Sequence, residues 1–255
     1  MKTLCELPVF PSSQGRTIPA EWWLVVDGMV RNPLKLSMAE LSVFPAAELG
    51  ADFTCVEGWR VPGLRWEGPE LKDLLKRAEP LPEARFALLH SGEYRVAIPL
   101  DEEGLAEGVV ASRLNGAPLD APHGAPLRYV SPSPDCFDSV KWLERIELTD
   151  RAEEATGAKI ALTRIGRLKK LSEMEPGEAG EIVQVDPIDH DLPDLEAKGL
   201  IPKLEKGLWL KVLARSAGGP VMLEAGDQQY DVCGDVAGVV WVQPRKQRAE
   251  PADPA

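Results

Sequence analysis

Short, β-prone apolar runs interrupted by turn residues most strongly constrain the fold of this chain. The run EWWLVVDGMV (21–30) is followed at once by a turn at Asn32-Pro33. The stretch 85–100 contains two such runs, with Ser91-Gly92 between them. Glycine-containing pairs supply the backbone conformations that tight hairpins need. The first part of the chain is therefore predicted to consist mainly of antiparallel strands.

Helices are few and short in the predicted fold. Ser37, with Glu40 three residues later, forms a capping-box pattern that predicts a short helix from Met38 to about Phe44. A second helix is predicted after Pro69, where apolar residues at helical spacing form one face: Leu71, Leu74, Leu75 and Ala78. With the strands, these segments predict an α+β fold that is mostly β.

A polar stretch at 149–159, TDRAEEATGAK, has no apolar periodicity and marks a division of the chain. The chain length also favours two domains. We therefore predict a first domain over residues 1–150, a linker over 151–161, a second domain over 162–244 and a disordered tail over 245–255.

The predicted second domain contains its own series of short β-prone runs. One brief helix at 192–198 is predicted to end at Gly199, because glycine suits a helix C-cap. Glycine-rich turns space the strand-like runs as a small antiparallel barrel requires: EIVQVD, LWLKVLARS, GPVMLEA, QYDVC and GVVWVQP.

Charge and hydropathy argue against several classes of partner. The chain has 29 Lys and Arg against 41 Asp and Glu, a net charge of −12. No broad basic face is expected, so nucleic acid is not an expected partner, and an anionic ligand would need a local cationic pocket. Because no run of about 18 apolar residues is present, no membrane span is predicted. The N-terminus lacks an apolar core of signal-peptide length, which favours a cytoplasmic location.

The four cysteines, at positions 5, 55, 136 and 233, have no C-x-x-C spacing. The absence of this spacing argues against a zinc knuckle or a disulfide framework and favours reduced thiols. Cys55 lies in TCVEGW (54–59), a glycine-containing turn that would present one thiolate to a soft metal. The competing interpretation is a small buried hydrophobic residue, which is the usual role of a free cysteine.

Several ordered motifs resemble the sulfite oxidase family of molybdopterin-dependent oxidoreductases. They are TCVEGW, RWEG, PELKDLL, HGAPLR (123–128) and SVKW (139–142), and the resemblance covers about residues 20–149. It implies a sulfite oxidase-type molybdopterin-binding fold in which Cys55 ligates molybdenum. It also implies two-electron oxo transfer with a small-molecule oxo donor or acceptor. No haem motif is present, so a separate electron-transfer partner is expected.

The same resemblance implies a set of cofactor-binding residues: Thr54, His123, Arg128, Ser139 and Lys141. Arg128 is the leading contact for the phosphate or pterin, because its guanidinium can donate two hydrogen bonds to an anion. The alternatives are a strand-surface ion pair for Arg128 and Lys141, and a neutral loop histidine for His123.

Two further arginines, Arg60 and Arg95, could meet an oxyanion substrate, or could be solvated surface charges. The loop before SVKW departs from the family pattern, because it carries Asp135 and Asp138. An acid at ~4 Å from a phosphate would cost on the order of 4 kcal/mol. Either this loop turns away or cofactor affinity is reduced. In the same loop, Cys136 is either a second redox thiol or a structural residue.

Residues 162–243 resemble the FeoA family, which implies a small β-barrel of the Src-homology-3 type, associated with ferrous iron transport. A docking or regulatory role with a protein partner is expected for it. An acid-rich cluster could bind a divalent cation or form a solvated loop: Asp186, Asp189, His190, Asp191 and Asp194. The alternative for the whole chain is a non-catalytic binding or regulatory protein with a degenerate cofactor site, linked to iron homeostasis.

Overall fold

The structure, a computed structural model, describes residues 1–101, 108–131, 136–152, 155–188, 192–216 and 219–245. Three of the predictions above fall outside these ranges: the role of Asp135, the contribution of residues 189–191 to a cation site, and the tail after residue 245. The chain forms two compact units, Met1–Ala158 and Lys159–Ala255. Across the described ranges, no helix has both the length and the apolar character needed to cross a membrane.

The first unit is built mainly from strands, as predicted. In the described ranges of this unit, two α-helices join them, α1 (Met38–Leu41) and α2 (Leu71–Ala78), with 3-10 turns at Pro11–Ser13, Ala121–His123 and Cys136–Asp138. The described strands of this unit are β1 (Lys2–Thr3), β2 (Leu24–Gly28), β3 (Leu34–Leu36), β4 (Ala47–Cys55), β5 (Trp59–Gly68), β6 (Phe86–Ser91), β7 (Tyr94–Pro99), β8 (Val109–Ala111), β9 (Arg113–Leu114), β10 (Ala117–Pro118), β11 (Arg128–Val130), β12 (Val140–Lys141) and β13 (Arg145–Thr149).

These strands form three sheets. One has the order β3-β2-β13-β6-β7 and includes the predicted hairpin of β6 and β7. A second has the order β1-β5-β9-β10, with β4 paired to β5. The third is the short sheet β12-β11-β8. The long antiparallel pair of β4 and β5 and the short sheet matter most for the site, because they carry the cysteine and the cationic residues identified above.

Helix α2 forms where the sequence predicts it. Its four apolar residues at helical spacing are at most 3% exposed, and they pack into the main core of this unit. Helix α1 begins with the predicted capping box, in which the Glu40 carboxylate accepts from the Ser37 backbone N–H at 2.8 Å. This helix ends at Leu41, earlier than predicted. The Ser42 hydroxyl donates to the Ala39 carbonyl at 2.6 Å and helps close the last turn.

The second unit contains one six-stranded antiparallel sheet. Its strands are β14 (Lys169–Lys170), β15 (Ala179–Val185), β16 (Trp209–Arg215), β17 (Val221–Ala225), β18 (Gln228–Val232) and β19 (Val240–Pro244), in the order β14-β19-β15-β16-β17-β18. The helices are α3 (Gly157–Arg164), α4 (Leu192–Ala197) and α5 (Gly234–Ala237). Helix α3 begins inside the predicted linker. Among the described residues the outer strands β14 and β18 do not pair with each other, so the Src-homology-3-like barrel stays a prediction.

The described acids of the predicted cation site already have partners. Asp186 accepts from the Lys159 ammonium group at 2.6 Å and from the Trp241 indole N–H at 2.7 Å. Asp194 accepts from Lys198 at 2.6 Å, one helical turn away. No group of three metal-binding side chains occurs within the described ranges. A cation site that uses residues 189–191 stays a prediction.

One histidine gives the first unit a testable pH dependence. His90 on β6 lies with its Nε2 3.0 Å from a Glu147 carboxylate oxygen, and Arg145 lies beside both. Burial, followed by the charge of Arg145, lowers the pKa of His90 in the folded protein. The unfolded chain then binds this proton more readily than the folded protein does. Stability should therefore fall as the pH drops from the usual pKa of histidine, which holds in the unfolded chain, toward the lowered pKa of His90 in the folded protein.

We expect the free energy of unfolding of the wild type, measured with urea, to fall as the pH is lowered from 7.5 to 5. His90→Gln removes the titrating group and should flatten this slope. An unchanged slope in the variant would contradict the role assigned to His90.

Candidate functional site

Cys55 ends strand β4 at a tight turn, as the sequence predicts. Cys55 pairs with Trp59, the first residue of β5. The Gly58 N–H donates to the Cys55 carbonyl at 2.9 Å. Gly58 has φ of +90°, a conformation that residues with a Cβ rarely adopt. Cys55 is 7% exposed. The turn therefore holds the thiol inside the unit and away from bulk water.

A second cysteine lies against the first. The Sγ atom of Cys136 is 3.6 Å from the Sγ atom of Cys55, although the two residues are 81 positions apart. Cys136 begins a 3-10 turn, and the Tyr94 hydroxyl donates to the Phe137 carbonyl within that turn at 2.6 Å. Strand β7, which carries Tyr94, thereby holds the turn in place. Two thiols thus share the position where the sequence predicts one metal ligand.

Arg128 is buried without a carboxylate partner among the described residues. It is 3% exposed, and its guanidinium carbon lies 4.9 Å from the ring centre of Phe53 and 4.7 Å from that of Trp66. One Nη donates to the His123 carbonyl at 3.3 Å, while Nε has no hydrogen-bond partner in the described part of the chain. Burial lowers the pKa of Arg128 to about 10, partly opposed by Cys136 and Tyr94.

One face of β4 links the arginine to the two thiols. Phe53 and Cys55 are two residues apart on β4, so their side chains project from the same face of the strand. The Arg128 guanidinium lies over the Phe53 ring, and the Sγ atom of Cys136 is in contact with that of Cys55. A buried cation and a pair of sulfur atoms therefore lie on the same face of β4.

Side chains from β11, from β12 and from the residue after β12 donate to successive carbonyl groups of the 3-10 turn at 121–123. Arg128 on β11 pairs directly with Lys141 on β12. The Lys141 ammonium group donates to the Pro122 carbonyl at 2.8 Å, beside the Arg128 contact with the His123 carbonyl. The Trp142 indole N–H donates to the carbonyl of Ala121 at 2.7 Å. The turn is thus fixed over the two cationic side chains.

Gly124 allows this close approach. Its φ is +115°, and a Cβ at this position would lie 3.2 Å from the Arg128 Cβ and 3.2 Å from the Lys141 Cα. Gly92 also has a positive φ, +56°, but a Cβ there would meet nothing within 4 Å. A side chain at Gly124 therefore meets both a φ outside the left-handed region of L residues and a steric clash, whereas at Gly92 it meets only a φ within that region.

Gly124→Ala should lower stability more than Gly92→Ala. We expect about 1 kcal/mol at Gly92, whose φ lies in the left-handed region that L residues can adopt, and roughly 2–3 kcal/mol for the backbone conformation of Gly124, whose φ lies outside it. A further ~1–3 kcal/mol is expected at Gly124, because the new methyl group must displace the strand residues. Urea unfolding of both variants measures the difference. Equal losses would mean that the turn is not packed on Arg128 and Lys141.

His123 anchors the same turn through its side chain. Its Nδ1 lies 2.7 Å from an Asp120 carboxylate oxygen, and its Nε2 lies 3.1 Å from the Leu7 carbonyl oxygen. Both ring nitrogens therefore face oxygen atoms of the chain, and the backbone carbonyl is the part that reaches Arg128. A direct cofactor contact from the imidazole stays a prediction.

The two remaining predicted ligands are Ser139, directly before β12, and Thr54, on β4. Ser139 is 8% exposed and precedes β12, and its hydroxyl accepts from the Ser131 N–H at 3.3 Å. Thr54 is half-buried on β4 and immediately precedes Cys55, so its side chain projects from the opposite face of the strand. Their roles toward a cofactor stay predictions.

The two arginines considered for a substrate lie on β5 and β7. Arg60 is exposed, donates to the Thr3 hydroxyl at 3.4 Å and lies 3.9 Å from Asp52. Arg95 on β7 lies close enough to His90 for its charge to lower the pKa of that histidine. The exposure of Arg60 favours the surface interpretation for it, and a substrate contact from Arg95 stays a prediction.

Asp138 is the acid of this loop that the structure describes. Burial raises the pKa of Tyr129, and the charge of Asp138 adds to this rise. Tyr129 is the neighbour of Arg128 in β11. The interpretation that the loop turns its acids away from the cofactor stays a prediction.

Comparisons with known proteins identify the family of the first unit. A family model described as the oxidoreductase molybdopterin binding domain matches residues 10–156. The uncharacterized oxidoreductase YuiH of Bacillus subtilis (strain 168) is 35% identical over 130 residues, which cover 51% of this chain and 66% of the relative. The protein-methionine-sulfoxide reductase catalytic subunit MsrP of Gluconobacter oxydans (strain 621H) is 31% identical over 176 residues, 61% of this chain and 56% of the relative. The chain thus spans between about half and two thirds of these relatives' lengths.

A solved structure supports the fold. The sulfane dehydrogenase SoxCD from Paracoccus pantotrophus matches with a TM-score of 0.51 and 17% identity, over 89% of this chain and 78% of that chain. At this identity the likeness concerns the fold alone. The likeness of the second unit to a solved FeoA protein is too partial to carry an argument, so the FeoA resemblance stays a prediction.

Proposed function

Because this chain belongs to the oxidoreductase molybdopterin binding domain family, we propose that its first unit binds a molybdenum–molybdopterin cofactor and catalyses two-electron oxo transfer. The observation that carries this proposal is the position of Cys55, buried at the end of β4 on the same face as Phe53, whose ring the buried Arg128 overlies. Such a site needs one side chain that binds the metal and one that binds the anionic part of the cofactor. Cys55 supplies the first and Arg128 the second.

The residues present fit this cofactor. A thiolate is a suitable ligand for a soft, redox-active metal. The cofactor also carries a phosphate, which requires cationic donors in an otherwise acidic chain. Arg128 offers a buried guanidinium whose Nε has no partner among the described residues. In our proposal Cys55 holds the metal, Arg128 binds the anionic part and Lys141 adds a second positive charge.

Aromatic side chains keep water away from these groups. Phe53 stacks on Trp59 with ring centres 6.1 Å apart, and Phe10 and Trp66 continue the cluster at 6.2 and 6.3 Å. The Lys141 ammonium group lies 5.5 Å from the Phe10 ring centre. A low-dielectric wall of this kind strengthens the attraction between the cationic side chains and an anion.

When bound, the cofactor supplies a two-electron redox centre that exchanges an oxo group with a substrate. Arg128 and Lys141 then orient it by charge, and Ser139 adds a hydroxyl donor. We propose a sulfoxide as the substrate class, because one relative is named as a methionine sulfoxide reductase. The reaction consumes two electrons and two protons and releases water, so a separate electron-transfer partner completes it.

The second unit, in this proposal, docks a protein partner or regulates the first unit. Its outer strands β14 and β18 offer edges for such a contact. An iron-related role and a cytoplasmic location are carried forward from the sequence as predictions.

The proposed activity is tested with protein from a molybdenum-replete host, using reduced benzyl viologen as electron donor and methionine sulfoxide as substrate. We expect viologen oxidation that depends on the sulfoxide and is lost in Cys55→Ser. Molybdenum-loaded protein that leaves the viologen reduced with methionine sulfoxide and dimethyl sulfoxide would contradict the proposed substrate class.

A further inference from the structure

The contact between Cys55 and Cys136 has no role in the proposed reaction. The two sulfur atoms are 3.6 Å apart, which is van der Waals contact, and the four cysteines of the chain carry no disulfide bond. Cys55 is 7% exposed, and Cys136 is partly exposed. The other two cysteines, Cys5 and Cys233, are exposed. One buried thiol and one more accessible thiol therefore lie side by side.

The surrounding structure holds this pair in place. Cys55 is fixed at the end of β4 by the paired strand β5. Cys136 begins the 3-10 turn whose Phe137 carbonyl accepts from the Tyr94 hydroxyl. A disulfide needs a sulfur separation of about 2.0 Å, so the two atoms must approach by roughly 1.5 Å. Rotation of the Cys136 side chain, at the start of a single turn, can supply such a movement.

We propose that Cys55 and Cys136 are a redox-active pair that closes into an intramolecular disulfide in the cofactor-free protein, and that this bond withholds Cys55 from molybdenum. The disulfide itself follows from the contact of the two thiols. The withholding of Cys55 rests on the proposed function, in which Cys55 is the metal ligand.

A peroxide is the oxidant that balances this step. The more accessible Cys136 thiol reacts with hydrogen peroxide to give a sulfenic acid and one water molecule. The Cys55 sulfur then attacks the sulfenic sulfur, forming the S–S bond and releasing a second water molecule. Two thiols lose two electrons, and the peroxide gains them. A dithiol reductant reverses the reaction by thiol–disulfide exchange.

The first test maps the thiols of the full-length chain. Reduced, cofactor-free protein is treated with one equivalent of hydrogen peroxide, the remaining thiols are alkylated with iodoacetamide, and peptides are identified by mass spectrometry. We expect two alkylated cysteines instead of four, and a cross-linked peptide pair that contains Cys55 and Cys136. Recovery of both residues as separate alkylated or singly oxidised peptides would overturn the proposal.

Three variants serve as matched controls. The double variant Cys5→Ser, Cys233→Ser removes the exposed thiols and should form the same cross-link. Cys136→Ser should leave Cys55 open to alkylation after peroxide treatment. Cys136→Ala, checked for folding by its circular dichroism, should behave in the same way. A peroxide-induced loss of the Cys55 thiol in both Cys136 variants would contradict the pairing.

A second test separates the pair from the proposed function. Reduced and peroxide-treated wild type are incubated with isolated molybdenum cofactor, and bound molybdenum is measured. The oxidised protein should bind at least fivefold less, dithiothreitol should restore binding, and Cys136→Ser should be insensitive to peroxide. Equal binding by cross-linked and reduced protein would overturn the withholding step. Cross-linking without molybdenum binding by the reduced protein would support the pair and contradict the proposed function.

Discussion

Replacing Cys55 with serine should remove molybdenum from the protein, with a loss of at least tenfold in metal per chain. Serine preserves the size of the side chain at the end of β4, but a hydroxyl is a harder and far less acidic ligand than a thiol. Cys55 is 7% exposed, so its role is not easily replaced by solvent. Elemental analysis of the wild type and Cys55→Ser, purified side by side from a molybdenum-replete host, measures this effect.

The exposed cysteines provide controls for this result. Cys5→Ser and Cys233→Ser change the same chemical group at exposed positions and should leave the molybdenum content unchanged. Full metal occupancy in Cys55→Ser would contradict the assignment of this residue as ligand. A parallel loss of metal in Cys5→Ser or Cys233→Ser would point instead to a general effect of thiol loss.

Replacing Arg128 with methionine should have two opposite effects. Retention of the pterin should fall at least tenfold, because the anion loses its buried guanidinium. The cofactor-free protein should become more stable by about 1–3 kcal/mol, because a buried charge without a carboxylate partner in the described residues is removed. The lowering of the Arg128 pKa to about 10 corresponds to a penalty of roughly 3 kcal/mol for the charged form.

Urea unfolding of cofactor-free protein and fluorescence of the extracted pterin measure these two effects. Arg65→Met provides a control, since Arg65 is exposed on β5 and next to Trp66. It should change neither quantity. A large loss of stability in Arg128→Met would mean that the packing of Arg128 on Phe53 and Trp66 outweighs its burial cost. Unchanged pterin content would contradict its role as the anion ligand.

Local sequence signals predicted the local structure well. Helix α2 follows from its apolar spacing, and the turn between Cys55 and Trp59 follows from Gly58. The hairpin of β6 and β7 follows from Ser91-Gly92. In each case the determining residues lie within a few positions of one another, so that the physical cause is visible in a short window of sequence.

The composition of the site depends on long-range contacts that such windows do not contain. The sequence leaves open whether Cys136 is a redox thiol or a structural residue, and no local pattern places it on a residue 81 positions away. The same holds for Tyr94, which holds the turn of Cys136 through the Phe137 carbonyl. Asp120 is a different case, because its spacing of three from His123 is a local capping signal in the sequence.

The second unit illustrates the same limit at the level of topology. Its short strands were predicted from alternating runs, and five of them lie close to the predicted positions. Closure into a barrel depends on pairing between strands far apart in sequence, which the runs do not specify. The described strands form an open order from β14 to β18.

In our proposal the first unit is a molybdenum site with Cys55 as its protein ligand. The most direct test is the ratio of molybdenum and pterin to chain in wild-type protein, purified under reducing conditions from a molybdenum-replete host. We predict about one molybdenum and one pterin per chain. Protein without either, prepared in parallel with a loaded sample of the methionine sulfoxide reductase relative, would contradict the account.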